Sequence, residues 1–328
     1  MADRIPVILS EDRTVRAEGQ RLQKRLVEAL SQWPDVQLTV VPHLYDLSAD
    51  GPGIRLVQSI NDDLIVLAWL YPRSAFWVLD ANRVRGRLGR TFSLPDEEPD
   101  QVVTRVDAAD VPDRTIWCLD LRTHDRPEPY LEEIGRIALR GQGSGVRGQD
   151  WEVERAVEPL GAGLLTSPTR AGSADPRRAR EIEEAASSRW YPVIDYSRCT
   201  NCLECLNFCL FGVYGLDESE VVTAEEPDAC RAGCPACARI CPAGAIMFPA
   251  HKDPAIAGDP KASLSGLKLD LSQLFGGADP AQMAAAERDR ALAARRRDEA
   301  LSSQADTDRP PAKDDLDRLV DEVDELDL

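Results

Sequence analysis

Positive charge is scarce in this 328-residue chain: 39 Lys and Arg stand against 57 Asp and Glu, a formal net charge of -18. Phosphate binding needs a basic footprint, so this balance excludes nucleic acid and anionic membrane surfaces as partners. It leaves room for the acidic surface of a soluble redox carrier that docks to a basic protein. Long apolar runs are missing too. The longest, LIVLAWL at 64–70, is too short to span a bilayer. No charged, apolar, small-residue signal opens the sequence, so the expected setting is cytoplasmic and reducing, where disulfides are an unexpected use of thiols. A dinucleotide or phosphate loop is also lacking. The glycine-dense stretch Gly141-Gln-Gly143-Ser-Gly145-Val-Arg-Gly148 follows a helical pattern instead of joining a strand to a helix, and reads as a flexible linker. Histidine occurs three times.

Cysteine, by contrast, is concentrated. Eight of the nine fall in two runs, Cys199-x2-Cys202-x2-Cys205-x3-Cys209 and Cys230-x3-Cys234-x2-Cys237-x3-Cys241-Pro242. A 4Fe-4S cubane needs soft thiolates converging from several directions, and closely spaced cysteines let one tight loop supply three of them. The spacing is the ligand pattern for two 4Fe-4S clusters. Zinc ribbons instead prefer two Cys-x2-Cys pairs separated by a longer loop, and zinc remains the rival use of these thiols. An internal repeat supports one architecture for both runs: Cys209-Leu-Phe-Gly212-Val-Tyr214 matches Cys241-Pro-Ala-Gly244-Ala-Ile246. The ninth thiol, Cys118 in TIWCLDL, reads as core.

On these motifs, residues 189–250 resemble the bacterial-type two-cluster ferredoxin family. In that architecture the fourth cysteine of each run ligates the other cluster. The resemblance therefore implies one cluster on Cys199, Cys202, Cys205 and Cys241, and a second on Cys209, Cys230, Cys234 and Cys237. Two positions depart from the family. Leu210 stands where proline usually follows the fourth cysteine, and the Cys230–Cys234 spacing is one residue longer than usual, with Gly233 placed to absorb the insertion.

The first 140 residues alternate strand and helix patterns. Strands are expected at 5–9, 36–41, 64–70 and 115–121, with helices over Leu22 to Trp33, from Gly51-Pro-Gly53 onward, at 73–82 and at 129–139. This alternation predicts an α/β domain with an open, mostly parallel sheet and helices on both faces. Such sheets place ligands at the carboxyl ends of their strands, where this chain collects Ser10, Glu11 and Asp12; His43, Tyr45 and Asp46; Tyr71 and Arg73; and Arg122, His124 and Asp125. They read either as a pocket built around His43, Tyr45, Arg73, Arg122 and His124, or as ordinary loop and capping residues. The element order loosely resembles the small cobalt and iron chelatases of tetrapyrrole synthesis, whose first strand ends in a catalytic histidine; here that position reads Leu9-Ser10-Glu11-Asp12.

The expected organisation is an α/β domain at 1–140, a linker with short helices at 141–188, an α+β two-cluster ferredoxin-like domain at 189–250, and a low-complexity tail at 251–328. That tail carries a helix at 281–301 and a terminal acidic helix with the apolar stripe Leu316, Leu319, Val320, Val323 and Leu326, suited to docking a partner or folding back. The functional expectation is an electron carrier or electron-transfer subunit serving a partner redox protein. The alternative is an oxidoreductase or chelatase-like enzyme whose α/β domain binds a small ligand.

Overall fold

A computed structural model describes residues 4–94, 111–141, 179–184, 188–262, 289–290 and 292–293. The apolar runs form the strands expected of them: β1 (Ile5–Ser10), β2 (Val36–Val41), β3 (Leu64–Ala68) and β5 (Thr115–Asp120). Two short strands complete a six-stranded sheet, β4 (Arg87–Gly89) and β6 (Arg180–Glu181), in the order β4-β5-β3-β1-β2-β6. Every pairing in it is parallel. Neither short strand carries an alternating or continuous apolar pattern, which is why sequence periodicity passes over both. β6 lies in the linker expected to carry short helices at 141–188; residues 142–178 and 185–187 of that linker lie outside the described residues.

All five residues of β3 are buried, as a strand covered on both faces requires. One face carries Val7, Leu9, Ile65, Leu67, Leu119 and Leu121. Against them pack Leu22, Leu26 and Leu30 of α1 (Ala17–Ser31) and Tyr130, Ile134 and Ile137 of α4 (Glu128–Gly141). These helical residues recur at the three- and four-residue spacing that makes a single apolar stripe. Strand residues of the other parity, among them Ile8, Val66 and Cys118, are equally buried. The remaining helices of the sheet, α2 (Pro52–Gln58) and α3 (Pro72–Ala81), each begin with proline, whose fixed φ and missing N–H suit the first helical turn.

The chain order reverses between β1 and β3: α1 leads outward to β2, and α2 leads back across β1 to β3. That reversal is the position where open α/β sheets leave a crevice.

Beyond the sheet, residues 188–262 form small elements: β7 (Val193–Ile194), α5 (Glu204–Phe208), β8 (Tyr214–Leu216), β9 (Val222–Ala224), α6 (Ala236–Ile240), β10 (Ile246–Met247) and α7 (Pro254–Ala257). β7 pairs with β10 and β8 with β9, both antiparallel. Met1–Thr200 together with Cys205–Leu269 makes one compact unit, so residues 188–200 and 205–262 belong to the same body as the sheet. A second unit comprises Asn201–Glu204 and Asp270–Leu328. Within it Asp289–Arg290 and Leu292–Ala293 are helical, inside the span expected at 281–301; the terminal stripe from Leu316 to Leu326 lies outside the described residues.

Candidate iron-sulfur centre

The two cysteine runs fold as copies of one plan. In the first, Cys205 is the second residue of α5 and Cys209 follows the helix directly; in the second, Cys237 is the second residue of α6 and Cys241 follows it. Each later cysteine donates its N–H to the carbonyl of the earlier one at the same 3.1 Å, Cys209 to Cys205 and Cys241 to Cys237. Three residues on, Gly212 and Gly244 both hold left-handed backbone, with φ of 67° and 60°. Nothing lies within 4 Å of where a Cβ on Gly212 would sit, so its need for glycine is conformational, not spatial. β8 and β10 then begin at Tyr214 and Ile246.

The inserted residue between Cys230 and Cys234 is taken up by a turn. Cys234 donates its N–H to the Arg231 carbonyl at 3.0 Å, and Gly233 at the third position has φ of 77°, the value a type II turn requires there. In the first run left-handed backbone falls instead on Asn201 and Leu203, at 53° and 64°. A bulky residue held so is strained, and such strain concentrates at functional loops.

None of the eight cysteines is in a disulfide. Cys202, Cys205, Cys237 and Cys241 are buried, whereas Cys199, Cys209, Cys230 and Cys234 are half-buried. Cys209, from the first run, interacts electrostatically with Cys230 and Cys237 of the second, and Cys234 with Cys230. Burial, with a smaller contribution from these neighbouring thiols, pushes the Cys230 thiol up to about 11 and the Cys237 thiol up to about 12, the latter against a lowering interaction with the Tyr214 hydroxyl. Protonated thiols are poor ligands, so crowding them underground is costly unless a cation draws off the protons. The other half is linked through Asp195. Its carbonyl accepts from the Cys199 N–H at 2.9 Å while its own N–H donates to the Ala245 carbonyl at 2.8 Å, joining the start of the first run to the turn after Cys241. The Ala245 N–H lies 3.3 Å from the Cys241 sulfur, a backbone donor already aimed at a candidate ligand. Among the described residues no three His, Cys, Asp or Glu side chains close around a single-ion site.

The strand-end residues are each engaged by near neighbours. His43 Nδ1 lies 3.4 Å from Asp46 Oδ2, Arg122 chelates Asp120 through two bonds of 2.8 and 2.7 Å, and His124 packs edgewise on Phe92 and Tyr130. Ser10 accepts from the Leu44 N–H, Asp12 from the Thr14 N–H and hydroxyl, and Glu11 and Asp125 pair with exposed arginines. Tyr71 lies beneath the Arg122 guanidinium, 3.8 Å from its ring centroid. These are the ordinary uses of polar residues at helix starts and turns.

Two members of that set do something the sequence did not announce. Arg73, at the start of α3, donates through Nε to Asp195 Oδ2 at 2.5 Å and through Nη2 to the Gly244 carbonyl at 2.9 Å. One buried guanidinium thus holds both ends of the cysteine segment. Tyr45 stacks on Tyr191 with centroids 4.3 Å apart; its hydroxyl donates to the Tyr191 carbonyl and accepts from the Tyr191 N–H. Asp46 accepts from the Arg189 N–H, Trp77 meets Tyr196 edge-on, and Ser74 donates to the Ala257 carbonyl. The carboxyl edge of β2 and β3 is therefore covered by the cysteine segment itself. At the β1–β3 crevice the Trp69 indole N–H donates to Gln23 Oε1, which also accepts from the Asp12 N–H.

Compared with curated proteins, a stretch of 66 residues is 46% identical to an uncharacterized ferredoxin of Methanocaldococcus jannaschii. That stretch is ferredoxin-like. It covers 20% of this chain and 44% of that relative, so the chain matches less than half of the curated protein's length. No family model and no solved structure matches the chain. Among the described residues no helix is long and apolar enough to cross a membrane.

Proposed function

We propose that this chain is an iron-sulfur electron-transfer protein that carries two 4Fe-4S clusters and exchanges single electrons with a partner oxidoreductase. The observation that supports the proposal is the shared plan of the two cysteine runs, each with a helical cysteine, a second cysteine bonded back to it and a left-handed glycine three residues on, in a chain with a ferredoxin-like stretch. Cys209, Cys230, Cys234 and Cys237 would hold one cluster, and Cys199, Cys202, Cys205 and Cys241 the other. When bound, each cubane takes up and releases one electron at a time. The chain's own residues hold eight thiolates in place, supply backbone donors such as the Ala245 N–H, and exclude water by burying four of the ligands.

The α/β sheet acts in this proposal as a scaffold. Its carboxyl edge, where a small-molecule site would be expected, contributes Arg73 and Tyr45 to the support of the cysteine segment. The chelatase-like alternative would have to work with strand-end side chains of which Arg73 and Tyr45 already bond to the cysteine segment. The apolar stripe at Leu316, Leu319, Val320, Val323 and Leu326 is proposed as the docking element for the redox partner.

The test is metal and sulfide analysis of the full chain purified without oxygen. About eight iron and eight sulfide per chain are expected, with a broad visible absorption that bleaches on reduction. Stoichiometric zinc without sulfide would contradict the proposal.

A further inference from the structure

The internal repeat is broken at one chemically important place. Ile246 begins β10 after the Cys241 turn, and at the matching position Tyr214 begins β8 after the Cys209 turn. Tyr214 is buried, with 7% of its surface exposed, and its hydroxyl makes no hydrogen bond of good geometry with any described residue. Yet that hydroxyl interacts with the Cys237 thiol and lies within electrostatic range of Cys209 and Cys205. Buried hydroxyls seldom stay unpartnered, and a neutral thiol is only a weak acceptor. A metal-bound thiolate is a strong one.

We infer that Tyr214 tunes one of the two clusters, its O–H donating a hydrogen bond to the Cys237 sulfur once that sulfur is a ligand. The inference rests on the cluster proposal above. No proton leaves the tyrosine and no bond is made or broken. The donor withdraws electron density from the sulfur and stabilises the extra negative charge of the reduced state, raising the potential of the cluster held by Cys209, Cys230, Cys234 and Cys237. Ile246 offers no such donor to the other half. Two clusters built on one plan are thereby set apart in potential, giving electrons a preferred resting place.

The experiment compares wild type with Tyr214→Phe as full chains prepared anaerobically. Iron and sulfide are measured first, then each cluster's midpoint potential by redox titration followed by electron paramagnetic resonance. The expected result is unchanged iron, one potential lowered and the other unmoved. Pulsed electron-nuclear spectroscopy after exchange into heavy water should also show one coupled deuteron in wild type that is missing from the variant. Full iron with both potentials unmoved would overturn the inference and leave the cluster proposal standing. Wild type without iron would remove both. Should Tyr214→Phe fail to assemble, 2,3-difluorotyrosine placed at 214 keeps the packing and strengthens the donor. It must then raise one potential, and an unchanged value overturns the inference.

Discussion

Arg73 joins the sheet to the cysteine segment through two bonds from one guanidinium, with only 8% of its side chain exposed and 2% of that of Asp195. Removing one partner of such a pair leaves a charge without water or counter-ion, which costs far more than the pair contributes in place. Arg198 Nε stands 3.7 Å from the same carboxylate and offsets part of the loss. Arg73→Ala is expected to lower stability by about 3 kcal/mol, read as an earlier midpoint in denaturant. Arg73→Lys should recover less than half, because a point charge cannot reach the carboxylate and the Gly244 carbonyl in the same fork geometry. Tyr45→Phe removes the hydroxyl that satisfies both the Tyr191 N–H and its carbonyl. A loss of about 2 kcal/mol is expected from two stranded backbone groups, measured in the same way.

At the scale of elements, the turns after Cys209 and Cys241 depend on left-handed backbone at Gly212 and Gly244, and the turn that closes on Cys234 depends on it at Gly233. Gly233→Ala meets no neighbour at the new Cβ, so its cost is conformational alone, about 1–2 kcal/mol, with iron content unchanged. Loss of iron in that variant would show that the turn is part of the cluster cradle and not only a means of accommodating an extra residue. The central strands and main helices were legible in the sequence because burial on both faces leaves apolar runs, and burial on one side leaves stripes such as Leu22, Leu26 and Leu30. β4 and β6 were not, being short edge pieces held by pairing and not by pattern. The cysteine spacing likewise made the ferredoxin-like stretch legible. The supporting shell did not: Arg73, Tyr45 and Tyr214 acquire their roles from neighbours 122 or more residues away in the first case and from a buried hydroxyl's surroundings in the last. Strand-end polarity left a pocket and ordinary capping both open, and long-range packing turned Arg73 and Tyr45 toward the cysteine segment.

For the whole molecule, the sheet shares one compact body with residues 188–200 and 205–262, tied by Arg73, Ser74, Tyr45 and the Trp77–Tyr196 contact. Domains joined this way lose their structure together. Circular dichroism of the sheet and bleaching of cluster absorption should therefore follow one denaturant curve, and a cluster transition well before the sheet's would mean that the two fold separately. The central claim, two clusters on crossed ligands, is tested most directly by Cys209→Ala, prepared anaerobically and measured by Mössbauer spectroscopy with iron analysis. Cys209 belongs by sequence to the first run and is hydrogen-bonded to Cys205 there, and it lies within electrostatic range of Cys230 and Cys237 of the second. The account predicts that about half the iron remains and that the surviving cluster is the one on Cys199, Cys202, Cys205 and Cys241. The two are told apart by a second preparation carrying Cys209→Ala with Cys202→Ala, which should hold almost none. Retention of the Cys230, Cys234 and Cys237 cluster in Cys209→Ala, with loss of the other, would contradict it.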